Sequence, residues 1–167
     1  SQARMALLRS SSPPDEKALV IAAQQNLYYF YHREPKEIKV GNLELNGQHV
    51  HCNIMGQSLV FELLEEFEFN STRARMSVIV RDPRDGKIKL YCKGSDSALY
   101  KLLHEKGRSN WAPTSQHLSH LGHKGLRTLV LAYKEIPEAT FTAWLQKHRV
   151  AKAAIENRFA LVEASQT

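Results

Sequence analysis

Long hydrophobic runs are missing from this sequence. No stretch approaches the ~18 to 20 consecutive apolar residues that a membrane helix needs, so the 167 residues do not read as crossing a bilayer by a helix. Cysteine is scarce as well. Cys52 and Cys92 lack CxxC spacing and are too few for a disulfide scaffold, which leaves two buried thiols as the simplest reading. The opening SQARMALLRS has no secretory apolar core, so a reducing, cytosolic setting is expected. The fingerprints GxGxxG, GxxxxGK(S/T) and GxSxG are absent, which excludes the common dinucleotide loop, the P-loop and the nucleophile elbow. No internal repeat or low-complexity stretch is present.

What is there suits one well-packed domain. An apolar fraction of 43% with 24% charged residues can bury a core and is not the composition of a disordered tail, a fibre or a collagen. Lys and Arg number 23 against 17 Asp and Glu, a formal charge of +6 that predicts attraction to an anionic partner. Nucleic acid, a lipid surface and phosphates all qualify on composition. The basic residues are dispersed along the chain rather than gathered, which argues against nucleic acid.

Residues 1–11 read as a flexible, basic lead and 12–167 as a single domain. In SPPDEKALVIAAQQNLYYFY the apolar positions Leu19, Ala22, Ala23, Leu27 and Phe30 recur at helical spacing, with Ser12 and Asp15 as a capping box and Pro13 in the first turn. In residues 38–51 the pair Asn46-Gly47 predicts a tight hairpin turn. Residues 58–69, 76–81 and 88–92 read as strands, the last two joined by DPRDG. Ser95 caps a helix that Gly107 stops; a second helix spans about 114–124 and stops at Gly125; residues 126–136 form a strand. Helices over 138–148 and 151–164 close the chain. Antiparallel strands interleaved with helices, without βαβ regularity, predict an α+β fold with an antiparallel sheet flanked by helices.

Three stretches combine residues that plain packing does not demand. In FNSTRARMSVIVR, read as extended chain, Phe69, Ser71, Arg73, Arg75 and Ser77 share one face while Met76, Val78 and Val80 share the other. A ring beside hydroxyls and guanidinium groups suits a nucleotide, though a half-exposed strand with solvated arginines explains the same pattern. In YCKGSDS a strand ends in Lys93-Gly94 and a helix begins; glycine admits close backbone approach, and a lysine at a helix N-terminus attracts anions. An ordinary strand-to-helix turn fits equally. In HKGLRTLVLAY, Arg127 stands at the mouth of a strand, placed for a phosphate or simply for solvent. His117, His120 and His123 do not form a metal site, because on a helix the first and last are about 240° apart.

Taken together and in order, these stretches resemble the nucleotide-binding domain of type IV P-type ATPases, the phospholipid flippases. The family's SPDE-x-ALV appears as SPPDEKALV, its Phe-led RMSV motif as FNSTRARMSV, its YCKGAD as YCKGSD, and its GLRTL motif as GLRTLVLAY. The departures are Pro13 for a usual serine, Ala74 for a usual lysine or arginine, and Ser95 for alanine. The resemblance spans roughly residues 12–136 and implies an ATP site. Phe69 would stack on adenine; Lys93 would lie deep near the base, ribose or α-phosphate; Arg127 would reach the phosphates. Glu16 would meet the adenine edge, Ser71, Met76 and Ser77 would line the pocket, and Gly94 would admit the ligand. Binding by one stack and two cations, after association costs, is expected near millimolar, on the order of −4 kcal/mol.

The resemblance further implies that the chain is a piece of a larger membrane pump. The phosphorylation motif DKTGT and the acceptor aspartate it carries do not occur in these residues, so the piece is expected to bind ATP and not to turn it over. In the parent, ATP with magnesium would be presented to an aspartate of the phosphorylation domain, with the actuator domain and an accessory subunit as further partners. The expected setting is the cytosolic face of a plasma-membrane or endomembrane protein; the piece itself is expected to be monomeric and to insert in no membrane. A rival reading is a non-catalytic interaction module of the same fold that binds acidic lipid headgroups or a partner protein.

Overall fold

A computed structural model describes residues 14–165, with side chains described as far as residue 154. The expected lead and the caps at Ser12 and Pro13 lie outside the described residues. The elements in order are α1 (Pro14–Gln25), β1 (Tyr28–Val40), β2 (Leu43–Ile54), β3 (Gln57–Asn70), β4 (Arg75–Arg81), β5 (Ile88–Gly94), α2 (Asp96–Tyr100), α3 (Glu105–Ser109), α4 (Trp111–His123), β6 (Val130–Ile136) and α5 (Glu138–Ser165). The strands form one antiparallel meander in the order β1-β2-β3-β4-β5-β6, flanked by helices, which is the expected α+β architecture. No described helix is long and apolar enough to cross a membrane.

Several expected boundaries move. The first helix stops at Gln25 instead of running on to Phe30: Asn26 Nδ2 donates to the Ala22 carbonyl at 2.8 Å, Leu27 takes a left-handed φ of 65°, and the aromatic run YYFY enters β1. Asn46-Gly47 is not a turn. It lies inside β2, with Gly47 opposite Lys36, while Gly41-Asn42 makes the turn. The register follows burial, because Ile38 against Leu45 and Val40 against Leu43 place the apolar side chains on the core face. Gly47 serves packing, since a Cβ there would sit 2.5 Å from Ile38 Cδ1 and 2.6 Å from the Leu63 carbonyl.

The helix after Ser95 breaks in two, with Gly107 inside α3 rather than at its end, because His104 caps a new start by accepting from the Lys106 N–H. Ser95 caps α2 as expected, accepting from the Ala98 N–H. Helix α4 begins at Trp111, earlier than the expected 114, and β6 begins at Val130, not at 126. The two closing helices are one, since no glycine or proline interrupts residues 138–165. Residues 69–81 are not one extended strand either. A turn over residues 71–74 separates β3 from β4; Asn70 Oδ1 accepts from Thr72 N–H at 2.8 Å, and the Asn70 carbonyl accepts from Ala74 N–H at 2.7 Å.

The core lies on one face of the sheet. Ile38, Val40, Leu45, Leu64, Ile79 and Ile88 pack against Phe141 and Leu145 of α5, with Phe67 and Trp144 alongside. Each such side chain, fully buried, contributes ~1.5 to 3 kcal/mol. The hairpin turn is tied to α5 as well, through the Gly41 N–H donating to Glu138 Oε1 at 3.0 Å. On the opposite face Leu63 and Val80 are buried, but α1 buries none of its own side chains.

Candidate functional site

Strand alternation sorts the expected site residues by face. Met76 pairs with Lys93 and Lys93 with Leu131, so the three stand in a row across β4, β5 and β6. Ser77, Cys92 and Ala132 form the adjacent row and point to the α5 side. Ser77 is therefore separated from Lys93 and Met76 by the thickness of the sheet. It is 5% exposed; Arg73 Nη2 donates to its hydroxyl at 3.4 Å, and the hydroxyl donates to Cys92 Sγ at 3.3 Å.

The row of Met76 and Lys93 meets the first turn of α1. Lys93 Nζ donates to Glu16 Oε1, a pair in which lysine is 19% exposed and glutamate 38%. Arg127, in the loop between α4 and β6, places Nε 3.1 Å from Asp15 Oδ2 with its side chain 79% exposed. Both cations singled out from the sequence are thus matched to successive carboxylates of one helix turn. Asp15 was passed over in the sequence, although it stands in the same DE pair as Glu16. An exposed pair such as Arg127 with Asp15 is worth ~0 to 1 kcal/mol, so an incoming anion can take the guanidinium over at small cost.

The open ring is nearby in the fold. Asn70 pairs with Arg75 and Arg75 with Gly94, which sets the ends of β3 and β5 on either side of the start of β4. A bulge between Phe67 and Asn70 separates the fates of two phenylalanines. Phe67 packs edge-on to Trp144 with centroids 6.0 Å apart, whereas Phe69 stays 66% exposed. Ser71 is exposed in the turn that follows. Gly94 is buried, and a Cβ there would meet the Ala74 carbonyl at 2.5 Å and Arg75 Cβ at 2.6 Å. Close approach by its own chain is sufficient reason for glycine at this position.

A cleft of about 1000 Å³ opens on the other side of the sheet, lined by Phe67, Leu90, Cys92, Leu99, Phe141 and Trp144, among others. Of the expected site residues only Ser77 lines it. Among the described residues, His117, His120 and His123 do not converge as a metal cluster; His32, Glu34 and His51 do. Cys52 and Cys92 are free and half-buried, and burial pushes the Cys52 thiol up.

Comparison with known proteins places this arrangement. Residues 11–162 match the family model described as P-type ATPase, cytoplasmic domain N. The chain is 44% identical over 104 residues to mouse phospholipid-transporting ATPase FetA, covering 62% of this chain and 9% of that protein. It is 43% identical over 104 residues to human phospholipid-transporting ATPase ID, covering 62% and 8%. It is 46% identical over 105 residues to phospholipid-transporting ATPase 10 of Arabidopsis thaliana, covering 62% and 9%. The chain thus spans under a tenth of the length of these relatives. With the antiparallel sheet in place and the family model matching nearly all of its length, the chain belongs to the P-type ATPase cytoplasmic N-domain family.

Proposed function

We propose that this domain binds ATP on the α1 side of the sheet and presents it, with magnesium, to a phosphorylation-domain aspartate elsewhere in a phospholipid-transporting pump. The observation that carries this reading is the pairing of Lys93 and Arg127 with the acidic turn of α1, beside Met76 and at the end of the sheet where Phe69 stands open. Phe69 offers a face for adenine, a contact worth ~1 to 3 kcal/mol. Glu16 meets the adenine edge, Lys93 lies at the base, ribose or α-phosphate, and Arg127 swings from Asp15 to the phosphates. Ser71 and the backbone at Gly94 line the approach, and Ser77 supports Met76 from behind the strand.

The chemistry here is binding and positioning. The nucleophile, the magnesium ligands and the actuator domain belong to other parts of the parent chain. Weak affinity suits a domain that must hand its nucleotide on and release the product.

An NMR titration of the chain with Mg-ATP tests the reading. Amide shifts are expected around Phe69, Lys93 and Arg127, with a dissociation constant near millimolar. Phe69→Ala and Lys93→Ala should each weaken ATP at least fivefold while the melting temperature stays near wild type, since neither side chain is part of the core. Unshifted resonances at about 5 mM ATP sink the proposal. Shifts produced instead by vesicles containing anionic lipid favour the interaction-module reading.

A further inference from the structure

We propose a second site, for a divalent transition metal of the zinc class, on the face of the β1-β2 hairpin, held by His32, Glu34, His51 and His49. These residues follow period two in each strand, so each pair shares a face. The register completes the square, because His32 stands opposite His51 and Glu34 opposite His49. One ligand atom from each of His32, Glu34 and His51 lies within 4.8 Å of the others. Glu34 Oε1 is 3.0 Å from His51 Nε2 and 3.8 Å from His49 Nδ1, and the rings of His32 and His51 stack with centroids 4.1 Å apart.

These spacings are close to what zinc requires. Tetrahedral zinc with bonds of about 2.0 to 2.1 Å separates its ligand atoms by about 3.3 Å, which small side-chain rotations supply here. Three imidazoles and a carboxylate form a borderline donor set that suits Zn²⁺ and Ni²⁺ and disfavours Mg²⁺, which takes oxygen ligands in an octahedron. The donors are reachable from solvent: His49 is 24%, His51 28% and Glu34 51% exposed at the side chain. Glu62, opposite His49 on β3, lies beside the square, with Oε2 3.4 Å from Arg81 Nη1. Because β1 is an edge strand, a bound ion would staple the edge of the sheet to its neighbour.

Zinc alone is the probe. Calorimetric titration of the untagged 167-residue chain should give one equivalent of Zn²⁺ bound, and Co²⁺ in its place should give the visible bands of an imidazole-ligated ion. His51→Gln should weaken zinc at least tenfold, and His32→Gln should do likewise. The triple change of His117, His120 and His123 to Gln on α4 should leave affinity unchanged. NMR of the unmodified protein is independent of how the variants fold: zinc should shift the ring resonances of His32, His49 and His51 together. No stoichiometric zinc, unshifted rings at these three positions, wild-type affinity in His51→Gln, or loss of binding in the α4 triple variant each overturns the site.

Discussion

The two faces of one sheet are built on opposite principles. On the α5 side, Ile79 and Ile88 meet Phe141 and Leu145, both of which are almost wholly buried, and the strands are held by apolar area. On the α1 side the same strands present Lys93 and Lys89, and the covering helix buries nothing. Adjacent residues of β4 serve both ends, Ser77 locked into one face and Met76 offered to the other. Stability and ligand contact are thereby divided by strand alternation, so changes on the two faces should separate cleanly in experiment.

The sharpest way to break that division is at the core. Phe141→Ala should destabilise the domain by about 3 to 5 kcal/mol, read as a shift of the denaturant midpoint. If it instead left stability intact and abolished ATP binding, the faces would not be independent. Next comes the one strongly charged element buried on the α1 side. Asp82 is fully buried in the β4-β5 turn, with Arg84 Nη2 at 2.6 Å and Lys89 Nζ at 2.9 Å. Hydrogen bonds from Arg84, joined by Lys89, hold its carboxyl well below the usual carboxylate range. Because the folded value is depressed, the stabilisation is full above the ordinary carboxylate range and is lost as pH falls through and below it. Asp82→Asn should cost about 2 kcal/mol at neutral pH and flatten the acid limb of the stability curve. An unchanged acid limb would show that this cluster contributes nothing to the pH response.

Smaller effects sharpen the contrast. Arg127→Ala should change stability by less than about 0.5 kcal/mol, because its partner pair is exposed, yet weaken ATP severalfold. A stability loss comparable with that of Asp82→Asn would mean that the Asp15 pair is structural. Met55→Asn touches neither face. Met55 is 69% exposed at the β2-β3 turn with φ of 53° and precedes Gly56 at φ of 90°, a turn for which Asn-Gly is the preferred pair. It should stabilise by about 0.5 kcal/mol and leave nucleotide and zinc binding alone, as differential scanning calorimetry and titration would show.

Local chemistry was readable where local chemistry decides. The Ser95 cap and the DPRDG turn each depend on a few neighbouring residues, and strands β3, β4 and β5 announce themselves by β-forming side chains. Gly47 was misread because its glycine answers to Ile38 and the Leu63 carbonyl, partners distant in the chain. The YYFY segment suits a helix face as well as a strand, and pairing with β2 decides it. At the site, motifs identified the side chains, but the turn over residues 71–74 determines which side of the sheet receives them, and the pattern of alternation cannot be carried across a turn. The hairpin histidines were missed although their period-two spacing is visible; the register that unites them is a tertiary fact.

Gly94 carries a mechanical consequence. The space of its missing side chain is taken by the Ala74 carbonyl, which also accepts the Ser95 N–H at 3.1 Å. The turn that follows Phe69 and the strand end that bears Lys93 are therefore clamped backbone to backbone, with no side chain between them to yield. Ring and ammonium behave as two jaws of one rigid jig, and whatever displaces one carries the other with it.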